Sequence, residues 1–205
     1  MTELQRAVEI MDRLRSPGGC PWDAEQTHAS LAKYLLEETY ELLEAIETGD
    51  LELLREELGD LLLQVLFHAR LTEELPPGQA FSIEDVARDL VEKLIRRHPH
   101  VFGDAKITDA AALNETWEKQ KVDEKGRTSA TDGVPLAQPS LALADKLLSR
   151  AHRAGLDDVA PPPTNEYGDR LFALAREAVE AGVDPESALR ETVRAYRAAI
   201  VDAES

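Results

Sequence analysis

The sequence predicts an all-α protein: a helical bundle built around an antiparallel helix hairpin, followed in the chain by a second, degenerate helical copy. Three observations lead to this fold class. Apolar residues recur at spacings of three and four along most of the chain, which is the period of an amphipathic helix. No segment alternates apolar and polar residues between turn signals, so no substantial sheet is expected. Gly49 interrupts a long helical region where the chain is expected to reverse direction.

The first half is expected to contain five helices, because turn residues divide its helical pattern. Asp50 is a suitable N-cap for the third helix, and Ser82-Ile-Glu-Asp85 resembles a capping box that opens the fourth. Pro99 is expected to end the fourth helix, and residues 16–27 are expected to form a loop. The predicted helices span about residues 2–15, 30–47, 51–74, 82–97 and 108–125.

The second half begins after residues 126–139, which are rich in Gly, Thr, Ser, Asp and Pro and are expected to be a linker. Asp184 followed by Pro185 predicts a helix start, with an N-cap and then proline at the first helical position. The triple proline at residues 161–163 excludes a helix there. The helices expected in this half span about residues 140–154, 166–181 and 185–203.

This second half resembles a worn copy of the first. Its segment Glu166-Tyr-Gly-Asp169 repeats Glu57-Leu-Gly-Asp60, but the triple proline stands where the helix with the remaining acids belongs. The copy is therefore expected to lack a complete site and to serve packing or oligomerisation. The predicted organisation is an intact domain at 1–125, a linker at 126–139 and a degenerate helical domain at 140–205.

Composition limits the partners of the chain. Its 205 residues carry 40 Asp and Glu against 23 Lys and Arg, a formal charge of −17, which disfavours binding to nucleic acid or to an anionic membrane. Cys20 is the single cysteine, which fits a reducing cytoplasm. No apolar run approaches the length of a membrane span, and the first residues do not resemble a signal peptide. We therefore expect a cytoplasmic protein.

Four acidic residues lie at mirror-image distances from Gly49. Glu41 and Glu57 lie eight residues before and after it, and Glu38 and Asp60 lie eleven before and after it. In an antiparallel helix hairpin these pairs stand side by side, at about 12 Å and about 16 Å from the turn for a rise of about 1.5 Å per residue. Within each pair of one helix, the i, i+3 spacing places both acids on one face. The four carboxylates are therefore expected to converge.

Two interpretations of these acids remain open at this point. Acidic helix faces are commonly just solvated, because Glu is a good helix former. Converging carboxylates repel each other, however, and a hard cation such as Mg²⁺ prefers oxygen ligands. Apolar residues accompany both acid pairs, so the acids border a core, and the metal interpretation is favoured. These apolar neighbours are Leu35, Leu36, Leu42, Leu43, Ile46, Leu58, Leu61, Leu62, Val65 and Leu66.

Further segments match a known family together with these acids. They are Gly19-Cys-Pro-Trp-Asp23, Gln26-Thr27, Leu36-Glu-Glu-Thr-Tyr-Glu41, Glu57-Leu-Gly-Asp-Leu-Leu62, Arg96-Arg-His-Pro-His-Val-Phe102 and Trp117-Glu-x-x-Lys121. In this order they resemble the MazG-type nucleoside triphosphate pyrophosphohydrolases of the all-α NTP pyrophosphatase superfamily. The resemblance covers residues 1 to about 125.

The resemblance implies a Mg²⁺-dependent hydrolase that converts nucleoside triphosphates to the monophosphate and pyrophosphate in a house-cleaning role, with Mn²⁺ as the alternative ion. It implies Glu38, Glu41, Glu57 and Asp60 as metal ligands. Glu38 or its neighbour Glu37 is expected to accept the proton of the attacking water, and the sequence does not separate base from ligand.

Four residues are expected to bind substrate. Lys93 and Arg97 lie one helical turn apart and can both reach one polyphosphate, although cations at the end of a helix also suit its dipole. The resemblance implies that Trp117 and Lys121 contact the base or ribose, but an aromatic residue on a helix also commonly serves the core. Trp22 leaves the same two interpretations open.

The alternative function is a catalytically inactive helical regulatory or scaffold module that retains the fold. The degenerate second half motivates it, and the complete acid set of the first half argues against it. A homodimer or a higher homo-oligomer is also expected, because a lone hairpin leaves apolar residues such as Leu61, Val65 and Leu66 to bury and the family forms bundles across subunits.

Overall fold

A computed structural model of the 205-residue chain describes residues 1–103, 126 and 128–204. The secondary structure of this described part is entirely helical, which confirms the all-α prediction. The chain divides into two compact units, Met1–Thr108 and Asp109–Ser205. None of the described helices is both long enough and apolar enough to cross a membrane. The helix predicted near residues 108–125 lies outside the described residues.

The described residues form nine helices. In the first unit they are α1 (Glu3–Arg15), α2 (Pro21–Glu25), α3 (His28–Thr48), α4 (Leu51–Thr72), α5 (Ile83–Arg97) and α6 (Pro99–Phe102). In the second unit they are α7 (Ser140–Arg153), α8 (Glu166–Glu180) and α9 (Pro185–Glu204). All seven longer helices agree closely with the predicted spans.

The helices α3 and α4 form the predicted antiparallel hairpin. Gly49 ends α3 in the left-handed conformation, with φ 73°, which glycine adopts without steric cost. The next residue, Asp50, caps α4, because its carboxylate accepts hydrogen bonds from the backbone N–H groups of Glu52 and Leu53. The reversal therefore takes two residues, and it fixes the register between the two helices.

Two short helices were not predicted. The helix α2 lies in the segment expected to be a loop, and α6 begins at Pro99, where proline suits a first helical position. The turn before α2 requires glycine at position 19, since a Cβ there would lie 2.3 Å from the carbonyl oxygens of Arg13 and Leu14. Pro21 then opens α2 directly after Cys20, whose side chain makes no capping hydrogen bond.

The core of the first unit lies between α1, α3 and α4. Its buried cluster consists of Met11, Leu31, Leu66, Phe67 and Leu71. This cluster lies towards the open end of the hairpin, away from Gly49, so the acids nearer the turn stand at the edge of the core. Burial of such apolar side chains contributes about 1.5–3 kcal/mol each and holds the two long helices together.

Charged side chains also connect α1 to α4 and to the residues just after it, at the open end of the hairpin. The guanidinium of Arg15, whose side chain is almost fully buried, donates to both carboxylate oxygens of Glu74 at 2.7 and 2.9 Å. It also donates to the backbone carbonyl of Asp23 and lies over the ring of Phe67. Arg70 donates to Asp12 at 2.7 Å. A bidentate Arg–carboxylate pair has a defined orientation, so it fixes how α1 crosses α4.

The helix α5 begins with the predicted capping box. The hydroxyl of Ser82 accepts from the backbone N–H of Asp85, and the Asp85 carboxylate accepts from the N–H of Ser82. Ile83 packs on the core cluster, yet none of the described residues of α5 is buried. Its apolar side chains are between 44 % and 52 % exposed at Leu90, Val91, Leu94 and Ile95.

The second unit agrees with the predicted helix boundaries. Asp184 accepts from the backbone N–H of Glu186 and starts α9 at Pro185, as expected. The triple proline is not helical. Arg150 of α7 donates to the backbone carbonyls of Ala130 and Asp132, so part of the predicted linker is attached to this unit.

Candidate active site

The hairpin brings three of the predicted metal ligands together. Carboxylate oxygens of Glu38, Glu41 and Glu57 all lie within 4.8 Å of one another. This is the juxtaposition expected from residues at equal distances from Gly49 on facing antiparallel helices. The geometry is therefore set by the two-residue turn and by the packing of α3 on α4.

The three carboxylates differ sharply in exposure. Glu57 is 5 % exposed, Glu38 is half-buried and Glu41 is exposed. The Oε2 atom of Glu57 is buried and has no hydrogen-bond partner among the described residues. A buried carboxylate oxygen without a partner is costly, so this atom is a ligand position that a cation would satisfy.

The electrostatics of the cluster disfavour four negative charges. Burial raises the pKa of Glu38, and the charges of Asp60, Glu41 and Glu57 raise it further, as does a hydrogen bond with the Glu41 side chain. Burial also raises the pKa of Glu57, followed by the charges of Glu41, Asp60 and Glu56. The charge of the half-buried Asp60 therefore raises the pKa of both Glu38 and Glu57. Its oxygens nevertheless lie outside the group of three carboxylates. A divalent cation relieves this repulsion.

Glu37 stands apart from the carboxylate cluster. It is exposed on α3, directly before Glu38, and within the described residues it is not part of the group of three. Of the two residues predicted as the base, the structure therefore places only Glu38 among the converging acids.

The predicted phosphate ligands lie on α5. Lys93 is exposed and Arg97 is half-buried, one helical turn apart near the end of this helix. The start of α5 is attached to the end of α4, where the Thr72 hydroxyl donates to the carbonyl of Phe81. Trp117 and Lys121 lie outside the described residues, so their role as substrate ligands stays a prediction.

Trp22 belongs to an aromatic cluster. Its ring meets Tyr34 edge-on with centroids 5.9 Å apart and Phe67 with centroids 6.4 Å apart. The indole remains 48 % exposed. Trp22 therefore contributes to packing between α2 and the hairpin, which is one of the two interpretations that its sequence position left open.

The acids of the second unit have structural partners. Asp169 accepts hydrogen bonds from the backbone N–H and the hydroxyl of Thr164, and Glu166 pairs with Arg170 at 3.8 Å. In residues 1–103 and 128–204, the group around Glu38 is the only set of three or more Asp, Glu, His or Cys side chains placed to share a metal ion.

One pair of residues was missed from the sequence. His28 of α3 and His68 of α4 bring their Nδ1 atoms to 2.7 Å. The signal was present, because these positions lie at nearly equal distances from Gly49, as the acids do.

Comparison with known proteins gives a consistent result. The sequence model of one protein family, the MazG nucleotide pyrophosphohydrolase domain, matches residues 26–102. This range includes the carboxylate cluster, Lys93 and Arg97. The chain is 52 % identical over 198 residues to an uncharacterised 26.1 kDa protein of Streptomyces cacaoi, covering 96 % of this chain and 81 % of that protein.

Two of the similar proteins carry a name that states an activity. The nucleoside triphosphate pyrophosphohydrolase/pyrophosphatase MazG of Thermotoga maritima is 41 % identical over 215 residues, covering 94 % of this chain and 82 % of that protein. The nucleoside triphosphate pyrophosphohydrolase of Mycobacterium tuberculosis is 48 % identical over 187 residues, covering 91 % of this chain and 54 % of that protein.

Proposed function

This chain belongs to the MazG family of nucleotide pyrophosphohydrolases, and we propose that its carboxylate cluster hydrolyses nucleoside triphosphates to the monophosphate and pyrophosphate with bound Mg²⁺. The family match and the similarity to two named pyrophosphohydrolases support the hydrolase activity. The observation that supports this use of the site is the set of three carboxylates whose oxygens lie within 4.8 Å of one another.

The donor set fits a hard divalent cation. Glu38, Glu41 and Glu57 offer oxygen atoms only, and the buried Oε2 of Glu57 has no other partner in the described part of the chain. Asp60 adds negative charge beside them. We propose these four residues as ligands of Mg²⁺ or, alternatively, of Mn²⁺. When bound, the ion supplies positive charge that offsets the charge of the phosphate oxygens.

The hydrolysis requires a group of the protein that accepts a proton. Water attacks the α-phosphorus, the bond from this phosphorus to the bridging oxygen breaks, and pyrophosphate leaves. A carboxylate takes a proton from the water. Glu38 is the better placed of the two candidates, since it lies among the converging carboxylates, whereas Glu37 is exposed outside the cluster.

Cationic side chains are needed because the chain carries a formal charge of −17. We propose that Lys93 and Arg97 hold the polyphosphate and that Trp117 and Lys121 contact the nucleoside. Lys93 and Arg97 share one face of α5 and lie within the matched domain. A cationic pair on one helix face offers several N–H donors to one phosphate chain.

The test is product identification with purified protein. The eight common NTPs and dNTPs are incubated with Mg²⁺, then with Mg²⁺ plus excess EDTA, and products are separated by ion-exchange chromatography. We expect monophosphate and pyrophosphate only when free Mg²⁺ is present. Diphosphate and phosphate would show that a different bond is cleaved, and no turnover of any nucleotide would favour an inactive scaffold.

Three further properties concern the oligomeric state, the cellular role and the second half of the chain. We propose a homodimer or higher homo-oligomer, supported by the exposed apolar face of α5, and a house-cleaning role in the cytoplasm, where a single free cysteine is compatible with reducing conditions. We also propose residues 140–205 as a degenerate helical copy, supported by the structural use of Asp169 and Glu166.

A further inference from the structure

His28 and His68 meet near the open end of the hairpin. His28 is the first residue of α3, and His68 lies in the last two turns of α4. Their Nδ1 atoms are 2.7 Å apart, their ring planes are parallel within 3°, and their ring centroids are 5.0 Å apart. Along α3 the pair is about 15 Å from Glu38, for a rise of about 1.5 Å per residue.

These three values define an end-to-end arrangement. The centroid separation exceeds the Nδ1 separation by about one ring radius on each side, so both centroids and both nitrogens lie on one line. With parallel planes, the two imidazoles are coplanar and point their Nδ1 atoms at each other. This is the geometry of a hydrogen bond in which one Nδ1–H donates to the lone pair of the other Nδ1.

A metal ion does not fit between these two nitrogens. Metal–imidazole bonds are about 2.0–2.1 Å long, so an in-line ion needs a larger separation than the observed 2.7 Å. One proton fits this separation. Since each neutral imidazole carries one N–H, one ring has its proton on Nδ1 and the other has it on Nε2.

The two rings differ in their access to water. His28 is exposed, whereas His68 is half-buried, and its Nε2 has no hydrogen-bond partner among the described residues. Burial lowers the pKa of His68, and the charge of His28 lowers it further. A first added proton leaves the Nδ1 contact intact, because one charged ring can still donate its Nδ1–H to the bare Nδ1 of the other ring.

Neighbouring charges do not compensate for a second proton. On α1, Arg15 binds Glu74, and on α4, Arg70 binds Asp12 and Glu74. The helix that precedes His28 in the chain, α2, carries the carboxylates Asp23 and Glu25. Among the described residues, only His28 acts electrostatically on the pKa of His68.

We propose that His28 and His68 form a proton-sharing clamp that holds the start of α3 against α4 near neutral pH and opens when both rings are protonated. With two protons on each ring, two N–H groups face each other and both rings are positive. Because His68 binds its proton less readily in the folded protein than in the unfolded chain, the folded state loses stability as pH falls below about 6.5. The clamp is independent of the proposed catalytic function.

The direct test is nuclear magnetic resonance of the ¹⁵N-labelled full chain at pH 8. We expect one Nδ1 of the pair to be protonated, the other to be bare, and a scalar coupling to connect the two nitrogens through the hydrogen bond. The variants His68→Leu and His28→Ala abolish this coupling, and the control His152→Ala, in the second unit, leaves it unchanged. Identical protonation states at both Nδ1 atoms in the wild-type protein would overturn the proposal.

A double-mutant cycle tests the pH dependence. At pH 8 each single variant breaks the same contact, so the losses in Tm caused by His28→Ala and His68→Leu are not additive in the double variant. Between pH 8 and pH 5 the wild-type protein loses about 2–4 °C more than His68→Leu does, and the non-additive part disappears. Additive losses at both pH values, or parallel pH profiles, would contradict the clamp.

Discussion

At the scale of single residues, Glu57 lies in an environment that disfavours its negative charge. Its side chain is 5 % exposed and one oxygen has no partner among the described residues. Burial raises its pKa, and neighbouring carboxylates raise it further. A group with such a perturbed pKa marks a candidate functional site. The burial that disfavours the charge also strengthens its attraction to a cation.

Neutralising the acids one at a time should remove catalysis without unfolding the helices. Glu38→Gln and Asp60→Asn keep the size of the side chain but remove its charge, and we expect NTP turnover to fall by about 10²-fold or more. Activity and circular dichroism are measured together. The control Glu47→Gln changes an exposed acid near the end of the same helix as Glu38. Full activity in both site variants would exclude this assignment.

Glu57→Gln should separate stability from metal binding. Without a divalent ion, we expect its Tm to equal or exceed that of the wild-type protein, because the amide removes one of several repelling charges. With Mg²⁺, only the wild-type Tm should rise, since binding to the native state stabilises it. Differential scanning fluorimetry over a Mg²⁺ titration measures both effects.

The matched control for that titration is Glu56→Gln, which changes the exposed acid directly before Glu57. It should retain the increase in Tm with Mg²⁺. An equal increase in Glu57→Gln would show that the ion binds elsewhere.

At the scale of helices and turns, local chemistry decides where each element begins. The capping box of Ser82 and Asp85 starts α5, and Asp50 starts α4 directly after Gly49. Each cap satisfies backbone N–H groups that a helix start otherwise leaves without a partner. The hairpin register, and with it the meeting of the acids, therefore depends on a short stretch of chain.

Asp85 should give α5 a pH dependence in strong acid. Hydrogen bonds from the backbone and the side chain of Ser82, together with a hydrogen bond from Arg88, lower the pKa of Asp85 to about 2. The unfolded chain protonates Asp85 near its ordinary value of 3.8, so its contribution to stability is complete above that pH. It is lost as pH falls from about 3.8 towards 2.

The comparison variant is Asp85→Asn, which cannot titrate. Between pH 4.5 and pH 2.5, we expect protection against hydrogen exchange in the first turn of α5, taken relative to the intrinsic exchange rate at each pH, to fall more in the wild-type protein than in Asp85→Asn. Glu84→Gln changes the exposed acid beside it and should behave like the wild-type protein. Parallel profiles for the wild-type protein and Asp85→Asn would contradict the role of this carboxylate.

For the whole molecule, features that depend on neighbouring residues in the sequence were predictable, and features that depend on contacts between distant residues were not. Turns and caps such as Gly49 and Ser82 depend on a few adjacent residues. They were sufficient to predict the long helices and the convergence of the acids. The helix α2 was missed because it is short and Cys20 gives it no side-chain cap. The Arg15–Glu74 pair was not predictable, since it depends on how α1 crosses α4.

Self-association should be visible in solution. The apolar face of α5 is about half exposed at Leu90, Val91, Leu94 and Ile95, and an exposed patch of this kind commonly marks an interface. We expect a dimer or larger oligomer by light scattering at micromolar concentration. Leu94→Glu should shift the mass towards the monomer, whereas Leu136→Glu, at a residue that is 77 % exposed, should not. A wild-type monomer would contradict the prediction.

The hairpin also has a consequence for folding. Glu38, Glu41, Glu57 and Asp60 lie on adjacent helices joined at Gly49, so assembling them requires no long loop to close. Contacts of short sequence separation form rapidly. During synthesis the acids can therefore meet before α5 has left the ribosome. The repulsion between them is present from this early stage, and we expect Mg²⁺ to accelerate the first step of folding as well as to stabilise its product.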